Sequence, residues 1–322
     1  MSAQDDRRKA MRFEGPEFIP VNVGILPRAW KLHREKLDAI CARHPVIFGE
    51  VSVGERDYDA MRDLYREGEH VDPWGYVWEN VAEGMDAYVK THNVPTRADV
   101  HTLKAPEGDH GLPHGFMFMR LYYLRGFEEL MVDFAEEPPE LQMLIDIVLD
   151  YNMGQIEKLV AHHGPGDRMQ GFGDDLGMQT SLPISPRTWR KYMTPCYARM
   201  YGRCKEVGWS VYMHSDGHIW EVIPDLHACG VDVINPQIRA NGLENLVAVC
   251  KGRICVNLDL DRQLFPFATP EQLDAHIREA VEALGSPEGG LWLSAEIGPD
   301  VPLDNVEAIC CALEKYRAYY HR

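Results

Sequence analysis

No apolar run in this 322-residue sequence approaches the roughly 20 residues that a bilayer-spanning helix needs. The first residues, Met-Ser-Ala-Gln-Asp-Asp-Arg-Arg, lack the apolar core of a secretory signal, so a cytoplasmic protein is expected. Positive charge is scarce. There are 33 Lys and Arg against 50 Asp and Glu, a net charge of −17, which argues against nucleic acid or an anionic membrane as partner. It does not argue against a small-molecule substrate, because a local site can differ from the net charge. The eight cysteines, Cys41, Cys196, Cys204, Cys229, Cys250, Cys255, Cys310 and Cys311, make no C-x-x-C pair. In a chain of this size they read as reduced and mostly buried thiols. No G-x-G-x-x-G follows a first strand and no G-x-x-x-x-G-K-[ST] occurs, which disfavours dinucleotide and P-loop sites. Ser181 has no G-x-S-x-G elbow, which disfavours a serine hydrolase.

What is present is apolar and regularly patterned. Apolar residues make up 45% of the chain, enough for a sizeable core. Strands are expected over 18–24, 46–53, 115–120, 168–173, 209–215, 231–234, 253–258 and 290–295. A helix is expected from Pro27 to His44, and another over 57–66. Helices over 126–135 and from Pro139, from Ser185-Pro186 to Gly208, from 218 to 229, over 242–250, from Thr269-Pro270 to Leu284 and from Pro302 alternate with the later strands. Residues 70–115 are rich in loop formers, with one hairpin expected. Trp74, Tyr76 and Trp78 there either line a pocket or pin the loop. His101, His110 and His114 are too widely spaced in that stretch to read as ligands. Strand–helix alternation with apolar strands implies a parallel sheet covered by helices, and the strand count suits a (β/α)₈ barrel. Residues 1–70 would form an N-terminal cap and 70–322 the barrel of a single domain.

In a parallel barrel the carboxyl ends of the strands share one face, where chemistry sits. Five consecutive strands end in polar residues: Asp174 and Asp175, then His214 and Asp216, then Asn235 and Gln237, then Asp259, then Glu296. The strand Trp209-Ser-Val-Tyr-Met-His-Ser-Asp-Gly217 is central, because Tyr212, His214 and Asp216 alternate onto one side. Clustered carboxylates need a metal ion, arginines or bound protons among them. His214, Asp216 and Glu296 offer one nitrogen and two oxygen donors, suitable for Zn²⁺, Mn²⁺ or Fe²⁺. Arg120, Arg125 and Arg239 are candidate counter-charges or substrate clamps. Glu296 alternates with Trp292, so a bulge or turn is expected to aim Glu296 inward.

The sequence resembles the uroporphyrinogen decarboxylase superfamily, in its divergent branch related to corrinoid-linked methyltransferases and demethylases. The stretches that carry the resemblance are Phe116-Met-Phe-Met-Arg-Leu-Tyr-Tyr-Leu-Arg-Gly-Phe127, Gly173-Asp-Asp-Leu-Gly-Met-Gln179 with Ile184-Ser-Pro186, Tyr212-Met-His-Ser-Asp-Gly217, Ile223-Pro224, Gly230-Val-Asp-Val-Ile-Asn-Pro236 and Pro302-Leu-Asp-Asn-Val306. The match spans roughly residues 70–320 and implies a (β/α)₈ barrel. The heme-pathway decarboxylases carry an arginine-rich N-terminal motif that Arg28 and Arg34 do not reproduce. In the methyltransferase branch a His-x-Cys on the central strand and a later Cys hold zinc. The matching positions here are His214, Asp216 and Glu296, so both cysteines are replaced by carboxylates.

The resemblance implies a metal-assisted methyltransferase or demethylase acting on a small substrate such as an aromatic methyl ether, with the methyl group passing to a corrinoid on a partner protein. Zinc is the expected ion, held by His214, Asp216 and Glu296. His214, Asp216 and Asp175 are the expected catalytic residues. Asp174, Gln179, Arg120, Tyr122, Asn235, Gln237 and Trp74 are expected to contact substrate. A homodimer is compatible with this. Two alternatives stand beside it: a decarboxylase or lyase using His214 and Asp216 as an acid/base pair, and a non-catalytic ligand-binding homologue.

Overall fold

A computed structural model describes residues 3–321. Six strands have the parallel pairing of an α/β fold: β1 (Val21–Ile25), β5 (Met169–Gly173), β6 (Ser210–Ser215), β7 (Val233–Pro236), β8 (Cys255–Asp259) and β9 (Leu291–Ile297). Three more, β2 (Gly68–Val71), β3 (Val77–Asn80) and β4 (Tyr88–Thr91), make a small antiparallel sheet in the order β2-β3-β4. No helix among the described residues is long and apolar enough to cross a membrane.

The parallel α/β sheet is consistent with the expected barrel-like fold, but among the described residues it has six of the eight expected strands, and the two missing ones can be named. The segment 46–53 forms a helical turn, Pro45–Phe48, and then irregular chain. The segment 115–120 begins the helix Phe118–Arg125. Seven of that helix's eight residues are buried, so no polar stripe marks its period. A short, uniformly apolar run reads equally as a buried strand. Two other expectations also change. The helix from Pro27 breaks at Arg34, whose φ is +47°, into Pro27–His33 and Glu35–Arg43. Residues 57–66 hold one short turn, Asp63–Tyr65, instead of a helix.

The chain divides into two compact units. The first runs to Arg66 and takes in Ala82–Met85 and everything from Asn235 onward. The second is Glu67–Val81 with Asp86–Ile234. In the first, β1, β9 and β8 are hydrogen-bonded in that order, with Gly24 opposite Glu296 and Asp259 opposite Ser294. The register runs unbroken from Val21–Leu293 to Ile25–Ile297, so Glu296 reaches its place without the expected bulge. All five residues of β8 are buried, as parallel strands covered on both faces should be. The helices at Pro270–Leu284 and Leu303–Tyr316 follow β8 and β9. Thr269 starts the former with a reciprocal cap: its Oγ1 accepts the Gln272 N–H, and Gln272 Oε1 accepts the Thr269 N–H at 2.8 Å.

In the second unit β5 pairs with β6, and Gly173 stands opposite His214. The helices Pro139–His163 and Thr194–Glu206 belong to the same unit. Ser185 Oγ accepts the Thr188 N–H at 3.1 Å and begins the helix Pro186–Tyr192. The eight cysteines are free thiols, and all but Cys311 are buried.

Candidate functional site

The loops that leave β5 and β6 carry the site. They are locked together by two glycines. A Cβ on Gly217, whose φ is +83°, would lie 2.7 Å from Gly177 Cα, and a Cβ on Gly177 would meet the Gly217 carbonyl carbon at 2.6 Å. Only bare backbone fits at this crossing. It brings Asp175, just past β5, beside Asp216, just past β6. Asp175 Oδ1 accepts the Asp216 N–H at 2.8 Å.

Asp174 and Asp175 are neighbours with different work. Asp174 is fully buried and anchors structure. Its Oδ2 accepts the Phe118 N–H at 2.6 Å and the Tyr197 hydroxyl at 2.6 Å, and its Oδ1 accepts the Met119 N–H at 2.9 Å. The carboxylate thus receives two of the orphan donors at the start of the helix Phe118–Arg125. Burial pushes its pKa upward against the hydrogen bonds that favour the ionised form.

Asp175 faces His114 and His214. Its Oδ2 lies 3.1 Å from His114 Nε2, and its Oδ1 lies 3.9 Å from His214 Nε2. The two imidazole rings are 5.6 Å apart at their centroids. His214 Nε2 is also 3.3 Å from Asp216 Oδ1. One ligand atom from each of His114, Asp175 and His214 can be chosen so that all lie within 4.8 Å of one another.

His114 is set in place by backbone. The N–H of Gly115 donates to Gly173 O at 2.8 Å, which ties this loop to the end of β5. Gly173 has no side chain to obstruct it, and a Cβ there would lie 2.5 Å from His114 Nδ1. Burial is the largest influence on the His114 pKa and lowers it, but the hydrogen bond and charge of Asp175 outweigh it, so the pKa lies above the ordinary 6.5. Burial likewise raises Asp175, and the hydrogen bond and charge of His114, the Asp216 N–H and His214 together bring it below the ordinary 3.8. The pair is an ionised carboxylate beside an imidazole with raised basicity.

Among the substrate-binding candidates, Arg120 and Trp74 are buried. The Arg120 guanidinium donates to Asp72 Oδ1 at 3.0 Å and to the Tyr76 hydroxyl, and its Cζ lies 5.9 Å from the Trp74 ring centroid. Trp74 packs edge-on against Tyr151 at 4.9 Å. The aromatic loop is therefore pinned to its unit through Arg120. Tyr122 is half-buried in an aromatic group with Phe118, Tyr123 and Phe127, and Gln179 is exposed.

The remaining candidates belong to the first unit. Asn235 is buried and donates from Nδ2 to Asn257 O at 2.6 Å. Gln237 bridges to Asp259 through backbone. Glu296 makes an ion pair with Arg262, whose Nη2 is 3.6 Å from Asp259 Oδ2. Of the counter-charges expected from sequence, Arg125 serves Asp133 at 2.8 Å and Arg239 serves Asp261 at 2.8 Å. The arginine beside Glu296 and Asp259 is Arg262, three residues after Asp259, which sequence reasoning missed.

His114 is the other omission. Its spacing from His101 and His110 marks no ligand set, yet it completes the His114–Asp175–His214 group. The signal available was indirect: glycines at 115 and 173 allow the close approach.

Residues 117–316, more than half of the chain, match the family model described as uroporphyrinogen decarboxylase (URO-D). No curated protein matches the sequence. Among solved structures, a methyltransferase from Methanosarcina mazei is similar over 98% of this chain and 99% of that one, at 15% identity and a TM-score of 0.65. At that identity the likeness shows the fold. A dihydropteroate synthase from Xanthomonas albilineans is similar over 47% of this chain and 54% of that one, at 14% identity. Its TM-score of 0.31 carries no argument.

Proposed function

Because the chain belongs to the uroporphyrinogen decarboxylase (URO-D) family, we propose that it is a methyltransferase-type enzyme of that family, with its chemistry at His114, Asp175 and His214. The observation that carries this reading is the convergence of two imidazoles and a carboxylate at the carboxyl ends of two adjacent parallel strands. The fold shared with a methyltransferase along nearly the whole chain supports it.

Two nitrogens and an oxygen within 4.8 Å make a donor set that fits Zn²⁺ and related divalent ions. His114, Asp175 and His214 would hold the ion. Asp216, which stands at one of the family's cysteine positions and whose Oδ1 is 3.3 Å from His214 Nε2, is proposed for a further place. Such an ion supplies Lewis acidity to an ether or hydroxyl oxygen of a small substrate. The chain's own residues do the rest. Asp175 orients His114 at 3.1 Å and keeps its negative charge through the Asp216 N–H. The methyl group leaves to an acceptor carried by a partner protein, for which a corrinoid is proposed. The substrate oxygen keeps the bonding electron pair and takes a proton from solvent. Oxygen ligands in place of sulfur favour an oxygen-bound methyl group over a thiol.

A second reading rests on the raised pKa of His114. An imidazolium held beside Asp175 can protonate a carbanion, the last step of a decarboxylase. The two readings separate in one assay series on candidate methoxylated and carboxylated substrates. Methyl transfer that requires a corrinoid acceptor supports the first. Release of CO₂ with no corrinoid requirement replaces it with the second.

A further inference from the structure

We infer a second metal site in the first unit, separate from the chemistry above, where His44 meets the helix Leu303–Tyr316. Its donors are an imidazole nitrogen of His44, a Glu307 carboxylate oxygen and Cys311 Sγ, which lie within 4.8 Å of one another, with His44 Nε2 3.3 Å from Glu307 Oε1. Glu307 and Cys311 are four residues apart and share one face of the helix. His44 follows directly on the helix Glu35–Arg43.

The histidine is what distinguishes this group from an ordinary surface cluster. His44 is buried, with 4% of its surface exposed. Its Nδ1 lies 3.0 Å from Glu314 Oε2. A carboxylate in that position takes the Nδ1 proton as its hydrogen bond and leaves the lone pair on Nε2, the arrangement seen in carboxylate–histidine–metal groups. Nε2 is buried and has no hydrogen-bond partner, although Glu307 Oε1 is 3.3 Å from it. A buried ring nitrogen without a partner is costly, and a cation between Nε2, Glu307 and Cys311 would satisfy it.

Charge points the same way. Glu307, Glu314 and a Cys311 thiolate would carry three negative charges, and Arg43 supplies one positive. A divalent ion completes the balance. Arg43 grips Glu307 with two hydrogen bonds, Nε to Oε1 at 3.1 Å and Nη2 to Oε2 at 2.5 Å. It orients the carboxylate, and it competes with an ion for the same oxygens. One nitrogen, one oxygen and one sulfur donor select a thiophilic divalent cation of the zinc class, with water in the fourth place. Cys311 is exposed while the other seven cysteines are buried, so an ion reaches this thiol from solvent. The ion's effect would be to clasp the His44 segment to the C-terminal helix.

Cobalt(II) is the probe, because thiolate ligation gives it a near-ultraviolet charge-transfer band. The His114–Asp175–His214 group has no thiol, so the band reports this site alone. The reduced, chelator-treated full chain is titrated with Co²⁺. The expected result is a band that saturates at about one equivalent, disappears in Cys311→Ser and weakens in His44→Gln. Arg43→Gln, which releases both Glu307 oxygens, should bind cobalt more tightly. Absence of the band, or a band unchanged in His44→Gln, overturns the site. Weaker binding in Arg43→Gln overturns the place given to Glu307. Circular dichroism of each variant establishes that it is folded.

Discussion

His114 and Asp175 are 61 residues apart in the chain, and their side chains meet at 3.1 Å. The contact exists because the backbone bond from Gly115 to Gly173 lays one loop against the end of β5, and because Gly173 has no side chain in the way.

Gly173→Ala therefore tests the geometry without altering any donor atom. The new methyl group would press on His114 Nδ1 and move the ring from Asp175. Divalent-ion affinity should fall by about tenfold to a hundredfold, as it does when an outer-shell partner of a ligand is lost. Calorimetric titration with Zn²⁺ in a Cys311→Ser background, which lacks the thiol of the second site, reads this directly. Unchanged affinity would mean that His114 is not a ligand.

Asp174 should affect stability before chemistry. Asp174→Ala leaves the Phe118 and Met119 N–H groups and the Tyr197 hydroxyl unpaired in a buried place. The expected loss is about 3 kcal/mol or more. Tyr197→Phe removes one of the three bonds and should lose about 1 to 2 kcal/mol. Urea unfolding of the two variants beside the parent gives both values.

The glycine crossing makes its own prediction. Gly217→Ala puts a methyl group against Gly177 and forces alanine into a left-handed φ of +83°. Backbone strain alone costs about 1–3 kcal/mol, and the clash adds to it. The melting temperature should fall, and Asp216 should lose its hold on Asp175. Gly217→Ser should behave in the same way.

Acid sensitivity should come in part from His276. Burial is the largest influence on it and lowers its pKa below 6.5, and its Nε2 accepts the Asp261 N–H at 3.2 Å. The unfolded chain protonates this ring near pH 6.5 and the folded chain only at lower pH. The stability contributed by neutral His276 is thus complete above pH 6.5 and is lost as pH falls through the lower folded value. Unfolding free energies measured between pH 8 and pH 5 should decline less in His276→Gln than in the parent. An identical decline in both would remove His276 from the account.

Much of the α/β pattern could be read from the residues. Ser185 and Thr269 announced their helices, since a side-chain oxygen before a proline-led apolar stretch has one natural use. The strands from Arg168 onward were legible because each is short, apolar and closed by a polar turn. The two false strands were not legible, for a physical reason. In 115–120 the run Phe116-Met-Phe-Met119 is wholly apolar, and a buried helix and a buried strand then look alike; in 46–53 the alternation Glu50-Val-Ser-Val53 is strand-like, yet the folded chain leaves Val46 and Val53 exposed. These two segments separate the expected eight strands from the six parallel ones observed among the described residues. At the site, the ends of β5 and β6 gave Asp174, Asp175, His214 and Asp216. The division of work between Asp174 and Asp175 was not readable, because it depends on which carboxylate meets the helix beginning at Phe118. His114 was out of reach too, since a loop residue acquires its partner only through the folded chain. Arg262 could have been found, as the first arginine after a strand that ends in Asp259.

The central claim is that His114, Asp175 and His214 form a metal-dependent site. It is tested most directly by metal analysis of Cys311→Ser protein, which lacks the thiol of the second site, alone and with His114→Ala or His214→Ala added. The prediction is about one equivalent of a zinc-class ion in the Cys311→Ser protein and nearly none in either double variant. An equal metal content in all three, or none in any of them after growth and dialysis with zinc, would contradict it.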